Sequence, residues 1–326
     1  MNFFLKNQRG QSLLEVTVAV AIFGLIGAAL ATLSVGGFSA LNQGGEETQA
    51  NALSQEGIEA VIAIRDSAWN VLTLTQSAVT STGDKWSWVG EGTVETIGKY
   101  QRTITLGDVC RDNNFNVVNC PEGTVDIGSK RVLVKVAWEP RPNTTNEIWR
   151  EEIFTNWDSR DWVQNDWSGG SGQEIWQEVN KYSEGDSNVF SASSTSGTLQ
   201  LAPITSSTEE GEIIIGYQPS AYLISSAFNM LNNSPVQMLS WEQDLSACTS
   251  SCAIKLQLRL ASDNGGAPGA WRSWLGAEGE NSFFTNNQLT LLPPAFNGKQ
   301  WMQYRVELTG DGNTTPIFKQ IKINFK

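Results

Sequence analysis

Histidine is absent from this 326-residue sequence. Its absence removes histidine triads, a histidine general base and most zinc sites. Basic residues are few: 22 against 34 acidic ones, a net charge of -12, with no basic stripe to track a phosphate backbone, so no nucleic-acid partner is expected. No nucleophile motif and no phosphate-binding glycine loop occurs either, so neither enzyme activity nor a cofactor is expected. Cysteine is scarce, at four residues in two close pairs, Cys110 with Cys120 and Cys248 with Cys252. Their gaps of nine and three residues differ from the two-residue spacing of a four-cysteine zinc site. Two local disulfides and no metal are the expectation, which places the body of the protein outside a reducing compartment.

One long apolar run is present. Val16 to Gly45 contains no charged residue, and its most apolar part, Val16 to Leu33, would span about 27 Å as a helix, enough to cross a bilayer. Lys6 and Arg9 precede it and no basic residue follows until Arg65, so the short N-terminal tail is expected in the cytoplasm and the body on the other side. A secretory signal peptide cleaved after Ala29-Leu30-Ala31 also fits the small-x-small rule. That account leaves Glu15 unexplained. A carboxylate at the membrane costs a few kcal/mol and marks a function with a partner.

Gly10 followed by Gln11-Ser12-Leu13-Leu14-Glu15 and an apolar helix resembles the processing and methylation site of type IV prepilins and pseudopilins. The resemblance implies cleavage after Gly10 by a prepilin peptidase, methylation of the new N-terminus at Gln11, and an assembly role for Glu15, which would pair with the positive amine of a neighbouring subunit. Gln11 departs from the phenylalanine usual in that family, a difference that touches methylation more than cleavage. The motif covers about 25 residues.

Beyond the Gly44-Gly45 pair, Glu46 to Trp69 has Leu53, Gly57, Val61 and Ile64 on one helical face. In the pilin comparison this is the soluble half of a long first helix, and the glycine pair is either a melted joint between the halves or a loop. Strand signals follow at Tyr100 to Leu106, Arg131 to Trp138 and Glu147 to Phe154. Three strands after one helix suit the small antiparallel head of a pilin. Residues 156 to 179, rich in Trp, Gly and Ser, read as a linker.

From residue 180 the composition turns to Ser, Thr, Gly and Asn with short alternating segments: Leu223 to Phe228, Gln237 to Leu245, Ala253 to Leu260, Gln288 to Leu292, Trp301 to Leu308 and Pro316 to Phe325. This spacing means a β-sandwich. In pattern it is similar to the jelly-roll modules of bacterial surface proteins, laminin-G-like or discoidin-like, which often bind carbohydrate. The fold class expected for the whole is therefore α+β: a leader (1–10), a transmembrane helix (11–34), a pilin-like head (35–155), the linker (156–179) and a sandwich (180–326).

Of thirteen tryptophans, Trp138, Trp241 and Trp301 lie on alternating strands and are assigned to cores. Trp162 and Trp167, in a polar, Asp-rich stretch, are the candidates for stacking on a sugar, with packing of the linker against a domain as the competing account. The acidic clusters "WDSRDW" and "TGDGN" lack the full calcium-loop pattern, and Asp311-Gly312 reads as a hairpin turn. The functional expectation is a minor pilin or pseudopilin, held in the inner membrane before assembly and then carried outside in a pilus or secretion pseudopilus. Its partners would be the prepilin peptidase, other pilin subunits and carbohydrate. The competing reading is a surface-anchored carbohydrate-binding or carbohydrate-active protein that uses the helix only as an anchor.

Overall fold

The computed structural model describes residues 11–167, 182–185, 189–191, 197–209, 211–248 and 251–326. One helix, Gln11–Ser67, runs for 57 residues, about 86 Å at 1.5 Å per residue. It contains no proline, and it continues unbroken through Gly44-Gly45, which corrects both the melted joint and the loop. The side chain of Gln43 donates to Glu47 at 3.1 Å across the glycine pair, and Thr48 Oγ1 donates to the Gly44 carbonyl at 2.7 Å. These contacts offset part of the cost of two adjacent glycines in a helix.

The last third of the helix lies on an antiparallel sheet ordered Lys85–Glu91, Gln76–Thr82, Tyr100–Arg111, Thr124–Arg141, Thr144–Thr155. The three strands read from sequence are all present but longer. The hairpin of Gln76–Thr82 and Lys85–Glu91 was not foreseen, and Cys110 belongs to a strand rather than a loop. Leu53, Val61 and Ile64 are buried against Val132, Val134, Val136 and Ile104. Gly57 permits the close approach, since a Cβ there would stand 2.8 Å from Val134 Cγ1.

The C-terminal part is a β-sandwich. One sheet is ordered Val189–Ser191, Leu199–Leu201, Ile317–Phe325, Val236–Asp244, Thr290–Leu291, with Arg160–Gln164 also paired to Ile317–Phe325. The other is ordered Gly279–Glu280, Leu275–Gly276, Ala253–Asp263, Lys299–Thr309, Ser220–Ser225, Tyr182–Gly185, with Phe228–Ser234 also on Lys299–Thr309 and Pro268–Trp271 on Ala253–Asp263. Inward residues of both sheets, among them Leu239, Trp241, Leu256, Leu258, Tyr304, Val306, Phe318 and Ile321, share one core. A separate hairpin pairs Pro203–Thr208 with Gly211–Tyr217.

The linker boundary needs correction. Arg160–Gln164 is a strand of the sandwich, paired residue by residue from Arg160↔Phe325 to Gln164↔Ile321. The strand Arg-Asp-Trp-Val-Gln shows no clean alternation in sequence, and Asp and Asn flank it on both sides. Residues 168–179 of the expected linker, including Trp176, lie outside the described residues, as does the leader.

Head and sandwich meet through a mixed interface. Met238 of the sandwich is buried in the head core, with Leu291 packed beside it. Asn70, fully buried just after the helix, hydrogen-bonds the carbonyls of Val236 and Leu292 at 3.2 and 3.1 Å. Lys326 Nζ donates to the Asp66 carbonyl at 2.7 Å. The sandwich is thus joined to the C-terminal end of the helix, opposite the end that bears Glu15.

Candidate functional site

Gly10 lies outside the described residues; Gln11 is the first residue of the helix. Glu15 sits in its second turn, exposed and flanked by the equally exposed Leu13, Leu14, Val16 and Val18. No residue from Leu13 to Gln49 is buried. This stretch is long and apolar enough to cross a membrane. An isolated chain leaves that surface bare in water, so lipid or neighbouring helices must cover it. Among the described residues no hydrogen bond or ion pair engages Glu15.

Where the helix reaches the head, Glu46 is a junction. It pairs with Lys99 and accepts a hydrogen bond from the indole of Trp138 at 3.0 Å, while its carbonyl accepts from Tyr100 Oη at 3.2 Å. The hydrogen bond from Lys99 holds the Glu46 carboxyl below its ordinary value, against an opposing effect of desolvation, with Trp138 adding to the lowering. Two turns on, the buried Arg102 bridges Glu95 at 2.7 Å and Glu56 at 3.3 Å and donates to the Leu53 carbonyl at 2.9 Å. The helix is therefore docked by charged groups as well as by its apolar face. Sequence reading missed Glu46, Arg102 and Asn70. The period-2 pattern Tyr100, Arg102, Ile104, Leu106 did carry a signal, because it puts the arginine on the inward face.

The two cysteine pairs are bridged as Cys110–Cys120 and Cys248–Cys252, with Cα atoms 4.8 and 5.8 Å apart. Trp138, Trp241 and Trp301 are buried. Trp162 and Trp167 require correction as ligand-stacking candidates, because both are core residues, 4% and 0% exposed. Trp162 packs against Phe228 with ring centroids 5.1 Å apart, and Trp167 against Phe318 at the same distance. The Trp167 indole donates to Tyr304 Oη at 2.8 Å, and Tyr304 in turn donates to Gln164. Full burial drives the Tyr304 hydroxyl pKa far up, so it stays protonated.

The acidic clusters are spent on internal contacts. Asp158 pairs with Lys326 at 3.1 Å and Asp161 with Lys322 at 2.6 Å. Burial raises the Asp161 carboxyl, yet hydrogen bonds from Asn324 and Lys322 outweigh it and leave the pKa lowered. Asp311 Oδ1 accepts from the backbone N–H groups of Asn313 and Thr314 at 2.9 and 2.7 Å, and Gly312 takes φ 85°, so this stretch is a turn. Among the described residues no group of three or more Cys, Asp or Glu side chains comes together in a way that could hold a metal.

The family description "Prokaryotic N-terminal methylation motif" matches residues 5–31, the stretch that holds Gly10, Gln11 and Glu15. The N-terminus is of the prepilin type. The match ends at residue 31, and 295 residues follow it. No curated protein matches the chain. Among solved structures, one from work on carbohydrate-binding modules of the β-sandwich superfamily is 9% identical over 69% of this chain and 89% of its own, with a TM-score of 0.24. A structure of infectious bursal disease virus, Gx strain, is 5% identical over 77% and 64%, also at 0.24. At these scores neither bears on what the prepilin-type chain does.

Proposed function

We propose that the protein is a minor pilin or pseudopilin, a non-catalytic structural subunit that enters a type IV pilus or related secretion pseudopilus and displays its sandwich outward. The observation that supports this most is the unbroken helix that starts at Gln11, carries Glu15 four residues on, and leaves its whole apolar first half exposed. Stacked against identical helices, that surface is covered, and Glu15 meets the amine of a neighbour. A membrane anchor alone has no use for the carboxylate, which is why the anchored carbohydrate-active reading stands second. The sandwich joins the far end of the helix, which supports display away from the membrane. A second domain on every subunit would crowd a helical filament, which favours a minor subunit over the major one.

The precursor is held in the inner membrane with its N-terminus in the cytoplasm, is cut after Gly10 by a prepilin peptidase, and assembles with other pilins. Mass spectrometry of the N-terminal peptide from envelope-purified protein tests this. A chain that begins at methylated Gln11 is the expected result. A chain that begins at Thr32 would make the segment a signal peptide and overturn the proposal.

A further inference from the structure

Among the described tryptophans only Trp149 and Trp157 are exposed, at 66% and 68%. Trp149 stands midway along Thr144–Thr155, an edge strand of the head sheet, on the face turned away from the helix. Its register partner is Lys135, which lies beside Thr103 of the next strand. On its own strand Glu147 and Glu151 share its face, two residues to either side. Lys135 pairs with Glu147, and Arg131 pairs with Glu151. The indole is therefore bracketed by two ion pairs whose four side chains remain 39% to 48% exposed. Among the described residues no ring or cation covers it.

We propose that this face is a saccharide-binding site, with Trp149 as the platform for a neutral pyranose and the two ion pairs as its rim. An exposed indole offers an apolar plane matched to the C–H face of a sugar ring. The rim supplies carboxylates that accept and cations that donate, which fits hydroxyls that do both. Each cation is neutralised by its own carboxylate, so the rim presents no net charge to attract an anion or a cation, and this selects a neutral ring. On the same face Ile153, 41% exposed, and the half-buried Leu133, register partner of Glu151, extend the apolar surface beside the indole. The site belongs to the head, not to the sandwich. It lies beyond the proposed assembly role and is present in the single subunit, so the two readings can fail separately.

The test uses the mature full chain in a micelle of a detergent without a sugar headgroup. It is applied to a printed array of neutral and charged glycans, and the retained oligosaccharide is then titrated by tryptophan fluorescence. Retention of a neutral pyranose oligosaccharide is expected, weakened by about ten-fold or more in Trp149→Ala and largely kept in Trp149→Tyr, where an aromatic plane remains. Glu151→Gln should weaken it less than Trp149→Ala. Because Trp149 is exposed, the variants should melt like the parent, which separates loss of binding from loss of fold. Retention of no neutral saccharide, retention that follows Trp157→Ala and ignores Trp149→Ala, or retention of anionic glycans alone would overturn the proposal. So would a dimer of the parent chain that Trp149→Ala abolishes, since the indole would then belong to a contact between copies.

Discussion

Asn70 and Asn297 exchange two side-chain hydrogen bonds across the boundary between head and sandwich, Asn70 Nδ2 to Asn297 Oδ1 at 2.9 Å and Asn297 Nδ2 to Asn70 Oδ1 at 2.8 Å. A reciprocal amide pair satisfies the acceptor of each residue with a donor of the other, and it forms in one relative orientation. With Met238 seated in the head core, it fixes the sandwich to the end of the long helix, so that the direction of the helix sets the direction in which the sandwich points.

Asn70→Ala should therefore cost about 1 to 3 kcal/mol, the penalty for leaving the Val236 and Leu292 carbonyls and the Asn297 amide without this partner. Asn70→Asp should cost more, because a carboxylate offers no donor to the carbonyls of Val236, Leu292 and Pro293 or to Asn297 Oδ1. Calorimetry of either variant is expected to replace one transition by two, as head and sandwich melt apart. A single transition at an unchanged temperature would mean that the pair does not couple the domains.

Substitutions at Trp162 and Trp167 should act on folding. Trp162→Ala empties a site against Phe228 and Tyr304 and is expected to cost about 3 to 5 kcal/mol. Trp167→Phe keeps most of the volume but removes the donor to the buried Tyr304 hydroxyl, with an expected loss of about 1 to 3 kcal/mol. Denaturant titration of the two variants measures both. Wild-type midpoints would return these residues to the surface.

The contrast between these tryptophans and Trp149 shows where the sequence is legible. Strands with clean alternation, such as the one with Ile254, Leu256, Leu258 and Leu260, begin where expected, run three residues further, and point those side chains into the core as expected. Arg160–Gln164 reads as linker because Asp, Asn and Ser surround it and it is only five residues long, so local composition conceals a pairing made with residues about 160 positions away. The long-range partners of Asn70 are hidden for the same reason, since Val236, Leu292 and Asn297 have no local relation to it. The Gly10 to Glu15 motif is local, and it was read in full. Trp149 carries the period-2 signal of an outward residue next to the half-buried, inward Ile148, but thirteen tryptophans make the exposure of this one hard to pick out.

Reduction should separate the two disulfides by loop length. Cys110–Cys120 closes eleven residues and Cys248–Cys252 closes five, counting both cysteines. The loop-entropy estimate gives about 3 and about 2 kcal/mol respectively. Cys110→Ser/Cys120→Ser should lower the melting temperature of the coupled transition more than Cys248→Ser/Cys252→Ser does. The reverse order would show that strain or denatured-state structure outweighs loop entropy.

Acid should loosen the junction of helix and head. The Glu46 carboxyl sits below its ordinary value, first because Lys99 donates to it and further because Trp138 does. The folded state then binds this proton less readily than the unfolded chain does. Its contribution is complete above the unfolded glutamate value and fades as pH falls through the lower folded one. Stability is expected to change little from about pH 6 to 8 on this account and to drop below about pH 4. Glu46→Gln should be less stable near neutrality and lose less on acidification. Parallel pH–stability curves for the two proteins would remove Glu46 from the linkage.

Glu15→Val should leave export, membrane insertion and cleavage intact while blocking entry into filaments. Cleavage depends on Gly10 and the basic leader, and removal of the charge eases insertion by roughly 2 to 3 kcal/mol. In the assembled state the amine of the neighbouring subunit would lose its carboxylate in low-dielectric surroundings, where an unpaired charge costs about 3 to 5 kcal/mol. That penalty, repeated at each contact the subunit makes, is enough to exclude it. The processed variant is expected to collect in the membrane fraction, with a methylated Gln11 terminus by mass spectrometry, and to be missing from sheared filaments. The exposed helix around Glu15 has no internal partner for this carboxylate among the described residues, so nothing in the single subunit would compensate. Variant protein at wild-type levels in sheared filaments would strip Glu15 of its assembly role and, with it, the main support for a pilin-like subunit.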